Sequence, residues 1–240
     1  PVIISKGGQT GTGAQATQSH TGSIAGDYKL WPVLCRQAGV ITVENIQEMA
    51  DLLVAFYYLP PLPGSNVGVV GIGGGASVEA ADACEKAGLT VPQYPADIQK
   101  KLRELVPQAG TSVKNPLDSS VAVVWQASTM LKTLQVVASC PDIDFILLQP
   151  PVQLGLYHLG EEAMLEAIQA VVQAKKEIAK PIVVVLRHSA SPQTSAAFFN
   201  LQQKLVDGGM PVYSDMHRAA WALGKFHQYY KQKLQITKFK

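Results

Sequence analysis

Three stretches of this 240-residue chain combine residue types that could do chemistry. In the first, TQSHTGSIAG (residues 17–26), His20 is surrounded by Ser19, Thr21, Gly22, Ser23 and Gly26. Side chains this short leave backbone amides accessible and suit a loop that moves. Near neutral pH an imidazole keeps one nitrogen unprotonated, which makes it a competent nucleophile. No Cys or Asp stands at metal-ligand spacing from His20, which argues against zinc and for covalent transfer to the ring nitrogen. The plain alternative is an inert surface histidine.

The second stretch is VVGIGGGASVEAADACEKAG, residues 69–88, where an apolar strand runs into Gly73, Gly74 and Gly75 and a helix is expected from about Ala76 or Ser77. Bare glycines ahead of a helix let backbone amides and the helix dipole face an anion, and phosphate is the ligand that suits such a turn. Two other readings compete. Gly71, Gly73 and Ala76 match the dinucleotide pattern G-x-G-x-x-A, but the acid wanted at the end of the next strand, read as LTVPQYP, is absent until Asp97. The glycines could also serve only close strand–helix packing. With no Walker-type lysine after them, direct nucleotide hydrolysis is not supported. The third stretch, SVKNPLDSS (residues 112–120), centres on Asn115-Pro116 and Asp118 and reads locally as loop punctuation and a helix cap. His158, His188, His217 and His227 are scattered and expected to be satisfied or exposed, and Asp82 and Glu85 to be a solvated helix face.

The elements that must position these residues follow an alternation of short β-branched runs and amphipathic helices, the pattern of a parallel sheet flanked by helices. The expected strands are PVIIS, GVITV, NVGVVGI, LTVPQY, IDFILLQ, PIVVVL and MPVYS, apolar enough to be covered on both faces. After IDFILLQ a crossover helix is expected, with Met164, Leu165, Ile168, Val171 and Val172 on one face. It carries Glu161 and Glu162 in its first turn and Lys175, Lys176 and Lys180 near its end. The prolines of LPPLPGSN (residues 59–66) mark a domain boundary, dividing the chain into residues 1–62 and 63–240. Five strands follow the break, as in a flavodoxin-like α/β domain; two strands and two helices precede it, half of such a domain.

The chain also contains a distant internal repeat, of thin identity, for which convergence of the strand–helix pattern alone is the competing reading. AGVITVENIQEMADLLVAF (residues 38–56) aligns with GGMPVYSDMHRAAWALGKF (residues 208–226) at an offset of 170, and PVIISK aligns with PIVVVL at an offset of 180. The first copy therefore carries ten more residues between its first strand and the next helix, and His20 lies in that enlarged segment. Extra length at the carboxyl end of a parallel strand is where α/β domains place functional groups.

Composition narrows the classes. With 47% hydrophobic residues and 16% charged ones the chain can bury a sizeable core. A formal charge of +2 gives no case for nucleic acid, and the basic end KQKLQITKFK reads as a solvated helix end. No apolar run approaches the roughly 18 residues of a membrane span, and no signal peptide opens the chain. Cys35, Cys84 and Cys140 are odd in number and far apart, which suggests a reducing, cytoplasmic setting. Pro1 leads directly into an apolar run, as expected of a piece of a longer polypeptide.

Taken in order, SHTGSIAG, RQAGVITVENIQEM, GGGASVEAADACEKAGL and NPLD resemble the ADP-forming acyl-CoA synthetases, relatives of succinyl-CoA synthetase, over nearly the whole chain. The resemblance implies succinyl-CoA-synthetase-like flavodoxin domains and the interconversion of acyl-CoA, ADP and phosphate with acid, CoA and ATP. In the family a histidine in an SHTG motif, here His20, carries the phosphoryl group between the N-termini of two helices. The second of these matches the helix after Gly73–Gly75, with Ala76 and Ser77 in its first turn. Ser19, Thr21, Gly22, Asn115 and Asp118 fall in the supporting loops, although Ser119-Ser120 stands where the family usually continues Thr-Gly. The resemblance further implies CoA or acyl-CoA and ADP or ATP with Mg as ligands, bound on CoA-binding and ATP-grasp domains or subunits outside this chain. It also implies an oligomer, no metal site here, and no turnover by the isolated chain. The alternative is a non-catalytic, acyl-CoA-sensing regulatory module, for example one fused to an acetyltransferase; intact SHTG argues against it. A dinucleotide-binding oxidoreductase ranks third.

Overall fold

The computed structural model describes residues 1–21, 30–71, 73–106, 110–119, 126–187 and 191–238. The first strand, β1 (Ile3–Ser5), pairs in parallel with β2 (Ile41–Val43), and between them lie α1 (Gly11–Thr21) and α2 (Trp31–Gln37). A third helix, α3 (Ile46–Tyr58), completes the first unit, one helix more than expected. Asn45 starts it with a reciprocal cap: its Oδ1 accepts the Glu48 amide at 2.8 Å, and Glu48 Oε2 accepts the Glu44 amide at 2.8 Å.

Beyond the proline segment the chain builds a second, parallel sheet from β3 (Val67–Gly71), β4 (Leu117–Asp118), β5 (Phe145–Leu148), β6 (Ile182–Val185) and β7 (Val212–Tyr213), in the order β4-β3-β5-β6-β7. Renumbered within the unit this is 2-1-3-4-5, the flavodoxin-like order. The helices are α4 (Gly74–Lys86), α5 (Ala96–Leu105), α6 (Ala127–Ser139), α7 (Val152–His158), α8 (Gly160–Glu177), α9 (Ser195–Asp207) and α10 (Met216–Lys238).

Alternation along the strands sorts the core into two layers. Val67, Val69, Phe145, Leu147, Val183 and Val185 face α4 and α10, while Val70, Ile146, Leu148, Ile182 and Val184 face α5, α6, α8 and α9. Ala55 and Leu59 at the end of α3 join the first layer, so the small unit packs onto the large one through α3 and α10.

Two strand expectations needed correction. LTVPQY does not form a strand: only Thr90 makes an isolated parallel bridge, to Asn66, because Pro92 and Pro95 interrupt any ladder. The fifth strand is instead β4, inside NPLD, where Leu117 and Asp118 lie opposite Val70 and Gly71. The crossover helix after β5 is present as α8, with Glu161 and Glu162 in its first turn and Lys175 and Lys176 in its last; Lys180 lies beyond its end and donates to the Cys140 carbonyl.

Candidate functional site

At the carboxyl end of β3 the chain turns through Gly73, at φ 88° and ψ 124°, directly into α4. That backbone conformation strains any side-chain-bearing residue, so Gly73 is there for its conformation. A Cβ added at Gly73 or Gly75 would meet nothing within 4 Å. The packing explanation therefore fails for this turn. It holds for Gly68, earlier within β3, where a Cβ would fall 2.8 Å from Val137. The helix begins at Gly74, two residues ahead of the expected Ala76, and Gly73–Gly75 are all exposed. As first-turn residues, Gly74, Gly75 and Ala76 have amides with no acceptor inside the helix, and no N-cap side chain takes them. The result is an open, positively polarised helix terminus of the kind that accepts phosphate.

One amide is already engaged. Gly73 N–H donates to Asp118 Oδ1 at 2.6 Å, so the end of β4 fixes the turn. This carboxylate is the acid at the end of the neighbouring strand that the dinucleotide reading lacked, but it is spent on the glycine turn. Asn115 is more than loop punctuation, and it caps no helix. It is buried beside a cis bond to Pro116; its Oδ1 accepts the Val69 amide at 2.9 Å, and its Nδ2 donates to the carbonyls of Val67 (2.6 Å) and Pro92 (2.9 Å). A side-chain amide thereby stitches β3 to the segment after Thr90, which supplies no strand of its own. Ser119 is also buried and donates its hydroxyl to the Gly71 carbonyl at 3.0 Å. Gly74, Ser77, Gln93, Lys114, Asn115 and Asp118 line one cleft of about 350 Å³ in front of α4.

His20 stands apart from that cleft, on the unit carrying β1. It sits in the last turn of α1 and is exposed, where a flexible loop was expected. The helix forms because Thr10 caps it, accepting the Gly13 amide at 3.1 Å, and because its hydroxyls turn inward: Thr17 donates to the Gly13 carbonyl and Ser19 to that of Ala16, each at 2.9 Å. Thr21 is the last residue of α1; Gly22, Ser23 and Gly26 lie outside the described residues, as does His188.

Sequence reasoning missed the charged groups along the same carboxyl edge. Arg187, just past β6, donates to both carboxylate oxygens of Glu79 (2.8 and 2.9 Å), and His217 Nε2 lies 3.6 Å from the same carboxylate. Only the alignment of the two ends of β6 and β7 beside α4 could have revealed this group. Elsewhere, burial pushes the Cys84 thiol up to about 12, with Glu85 adding to the rise, so this cysteine is inert as a nucleophile near neutral pH. The three cysteines are free and buried. Of the remaining histidines, His158 and His217 are exposed as expected, whereas the Nδ1 of His227 is buried without a hydrogen-bond partner.

Fold and site together define a flavodoxin-like α/β protein that presents a glycine-opened helix terminus at the carboxyl edge of its sheet. The family described as succinyl-CoA ligase like flavodoxin domain matches residues 1–56. The ADP-forming acetate–CoA ligase I of Archaeoglobus fulgidus is 31% identical over 166 residues, covering 68% of this chain and 24% of that protein. The alpha subunit of ADP-forming acetate–CoA ligase II of Pyrococcus furiosus is 28% identical over 231 residues, covering 93% of this chain and 47% of the subunit. The dinucleotide-forming acetyl-coenzyme A synthetase 1 of Ca. Korarchaeum cryptofilum, solved in complex with phosphate and ADP, superposes with a TM-score of 0.76 at 22% identity, over 99% of this chain and 48% of that one. Residues 1–56 thus match a succinyl-CoA ligase like flavodoxin domain, and the chain is similar over most of its length to parts of ADP-forming acetate–CoA ligases. It spans about a quarter to a half of the length of these curated relatives.

Proposed function

We propose that this chain is the phosphohistidine-carrying part of an ADP-forming acyl-CoA synthetase, with His20 as nucleophile and phosphoryl carrier. An acyl phosphate, made from acyl-CoA and phosphate, gives its phosphoryl group to a ring nitrogen of His20: the bond from phosphorus to the acyl oxygen breaks, a phosphorus–nitrogen bond forms, and the free carboxylate leaves. ADP then takes the phosphoryl group to give ATP, and the reverse sequence activates an acid. The observation that carries this reading is the open N-terminus of α4. The amides of Gly74, Gly75 and Ala76 suit an anion there without a counter-ion that would fix the carrier in place. Ser77 adds a hydroxyl to the same cleft, and Asn115 and Asp118 hold its floor.

The division at residues 62 and 63 separates the carrier unit from the cradle unit in this proposal. CoA-binding and ATP-grasp domains would complete the enzyme and hold acyl-CoA and the nucleotide with its Mg; among the described residues, no group of three or more His, Cys, Asp or Glu could hold a metal. An exposed apolar stripe on α3, formed by Ile46, Leu53 and Tyr57, supports such partner domains and an oligomeric parent. Among the described residues no helix is long and apolar enough to cross a membrane. The buried free cysteines agree with a cytoplasmic setting.

Incubating the parent enzyme with ATP and Mg and following phosphorus NMR tests the carrier role. An acid-labile phosphohistidine signal should form and disappear with His20→Ala; a signal unchanged in the variant rejects the assignment.

A further inference from the structure

The interface between the two units is built from two copies of one helix. Asn45 and Asp215 are equivalent in the repeat, and each accepts the amide three residues on, from Glu48 (2.8 Å) and Arg218 (2.9 Å). Phe56 and Phe226 are equivalent too, and their rings meet across the interface with centroids 4.9 Å apart. In the same cluster Ala55, Ala219 and Ala222 are fully buried. Apolar contact of this kind is non-directional. Two helices with related faces have several slides and rotations that bury comparable area, so burial alone leaves the angle between the units weakly specified.

One contact breaks the equivalence. Asp51, only 5% exposed, receives Arg218 Nε on Oδ2 at 2.8 Å and an Arg218 terminal nitrogen on Oδ1 at 2.6 Å. The repeat offers no mirror of this pair: the counterpart of Asp51 is Trp221, and that of Arg218 is Glu48, whose carboxylate is used locally on the Glu44 amide. Both partners are braced. Tyr213 donates its hydroxyl to the Asp51 carbonyl at 3.1 Å, while Arg218 also donates to Ser214 Oγ and lies 3.9 Å from Asp215. Arg218 stands in the first turn of α10, straight after the carboxyl end of β7, and Asp51 in the second turn of α3 after β2. The two residues therefore follow the carboxyl ends of β2 and β7, and α1 and α4 follow the carboxyl ends of β1 and β3 in the same two sheets. Asp51 is buried and the Arg218 side chain is 32% exposed, so the pair is partly buried; its bidentate geometry is direction-specific, and supplying register is the best-attested use of buried pairs.

We propose that Asp51 and Arg218 are positioning residues that select one orientation of the His20 unit relative to the α4 cradle, so that phosphoryl transfer at the α4 terminus occurs with the two units held as one body. The proposal rests on the carrier reading of His20, and its test separates the two.

In the intact parent enzyme, Gln37→Cys on α2 and Lys132→Cys on α6 place spin labels on exposed sites of the two units, the native cysteines being buried. The paired change Asp51→Leu with Arg218→Met removes the charges without stranding one, a replacement that buried ion pairs commonly tolerate without loss of stability. Asp51→Asn, which keeps the side-chain volume, serves if the pair fails to fold. The expected result is an unchanged melting temperature, a broadened distance distribution between the labels, and phosphohistidine formation from acetyl phosphate, the acyl-phosphate probe for the α4 side, slowed at least about tenfold, equivalent to about 1.4 kcal/mol in the barrier. A distribution as narrow as that of the wild-type protein overturns the clamp, and a broadened one with a wild-type transfer rate overturns its role in positioning. If the unaltered protein forms no phosphohistidine, the carrier reading fails, while the label distances still decide whether the pair orients the units.

Discussion

The two copies of the repeat share their local structure and differ in what covers them. Ile4 lies opposite Thr42 in the small sheet, and the equivalent residues Val184 and Val212 lie opposite each other in the large one. Both copies then start a helix with an Asn or Asp cap. On the helices themselves the copies part. Ile46 and Leu53 of α3 are 77% and 54% exposed, whereas their counterparts on α10, Met216 and Leu223, are 1% and 0% exposed against Ala80, Ala83 and Cys84 of α4. Gly224 lets that contact close: a Cβ there would fall 2.2 Å from the Ala87 carbonyl, while its counterpart on α3 is Val54. The same pattern thus makes a core face in one copy and a surface stripe in the other, and the presence of α4 makes the difference.

The largest effect expected from this contrast is at the paired leucines. Leu223→Ala should cost about 2–5 kcal/mol in urea unfolding, as truncation in a packed core does, whereas Leu53→Ala should stay within about 0.5 kcal/mol in these 240 residues. Equal costs would erase the distinction, and a larger Leu53→Ala cost in the parent enzyme would sharpen it by showing that the stripe is covered there. The caps should behave alike in spite of their different surroundings: Asn45→Ala and Asp215→Ala are each expected to lower stability by about 1 kcal/mol. A negligible cost at either position would show that the shared geometry does not carry shared energy.

The smallest effect concerns pH. His227, the counterpart of the 82% exposed Tyr57, has its pKa lowered first by burial and then by Lys231, with Asp144 opposing. The unfolded chain therefore binds a proton from about pH 6.5 downward while the folded chain does not, so this contribution to stability is intact above that pH. It declines as pH falls toward the lowered folded value. Melting curves between pH 7.5 and 5, on the order of one unit either side of an ordinary histidine, should show a shallower acid loss for His227→Gln than for the unaltered protein; parallel slopes would count against the burial argument.

Much of this architecture was legible in the residues. Near-continuous apolar runs marked β3, β5 and β6, whose residues are buried on both faces. Gly73–Gly75 announced a turn that only glycine makes freely, because conformational freedom is a local property, and Gly73 does adopt a positive φ. The misses share a different cause. Leu117 and Asp118 form only a two-residue strand, held by β3 and not by any periodicity of their own. LTVPQY is apolar enough for a strand, yet Pro92 and Pro95 interrupt any ladder, and the long-range bonds of Asn115 to Val67, Val69 and Pro92 take its place beside β3. The helical position of His20 depended on a single threonine cap that a run of glycines and hydroxyls concealed.

By itself the sequence determined the alternation of strand and helix, the repeat, and the residue types offered to a phosphate, because these rest on side-chain period and backbone freedom within a few residues. Only the tertiary structure decided that Asp118 closes the glycine turn, that Arg187 finds Glu79, and that Asp51 meets Arg218 across the two units. Those contacts join residues 45, 108 and 167 positions apart, and no local preference of the chain encodes which distant partner the packing of the sheets will bring within reach.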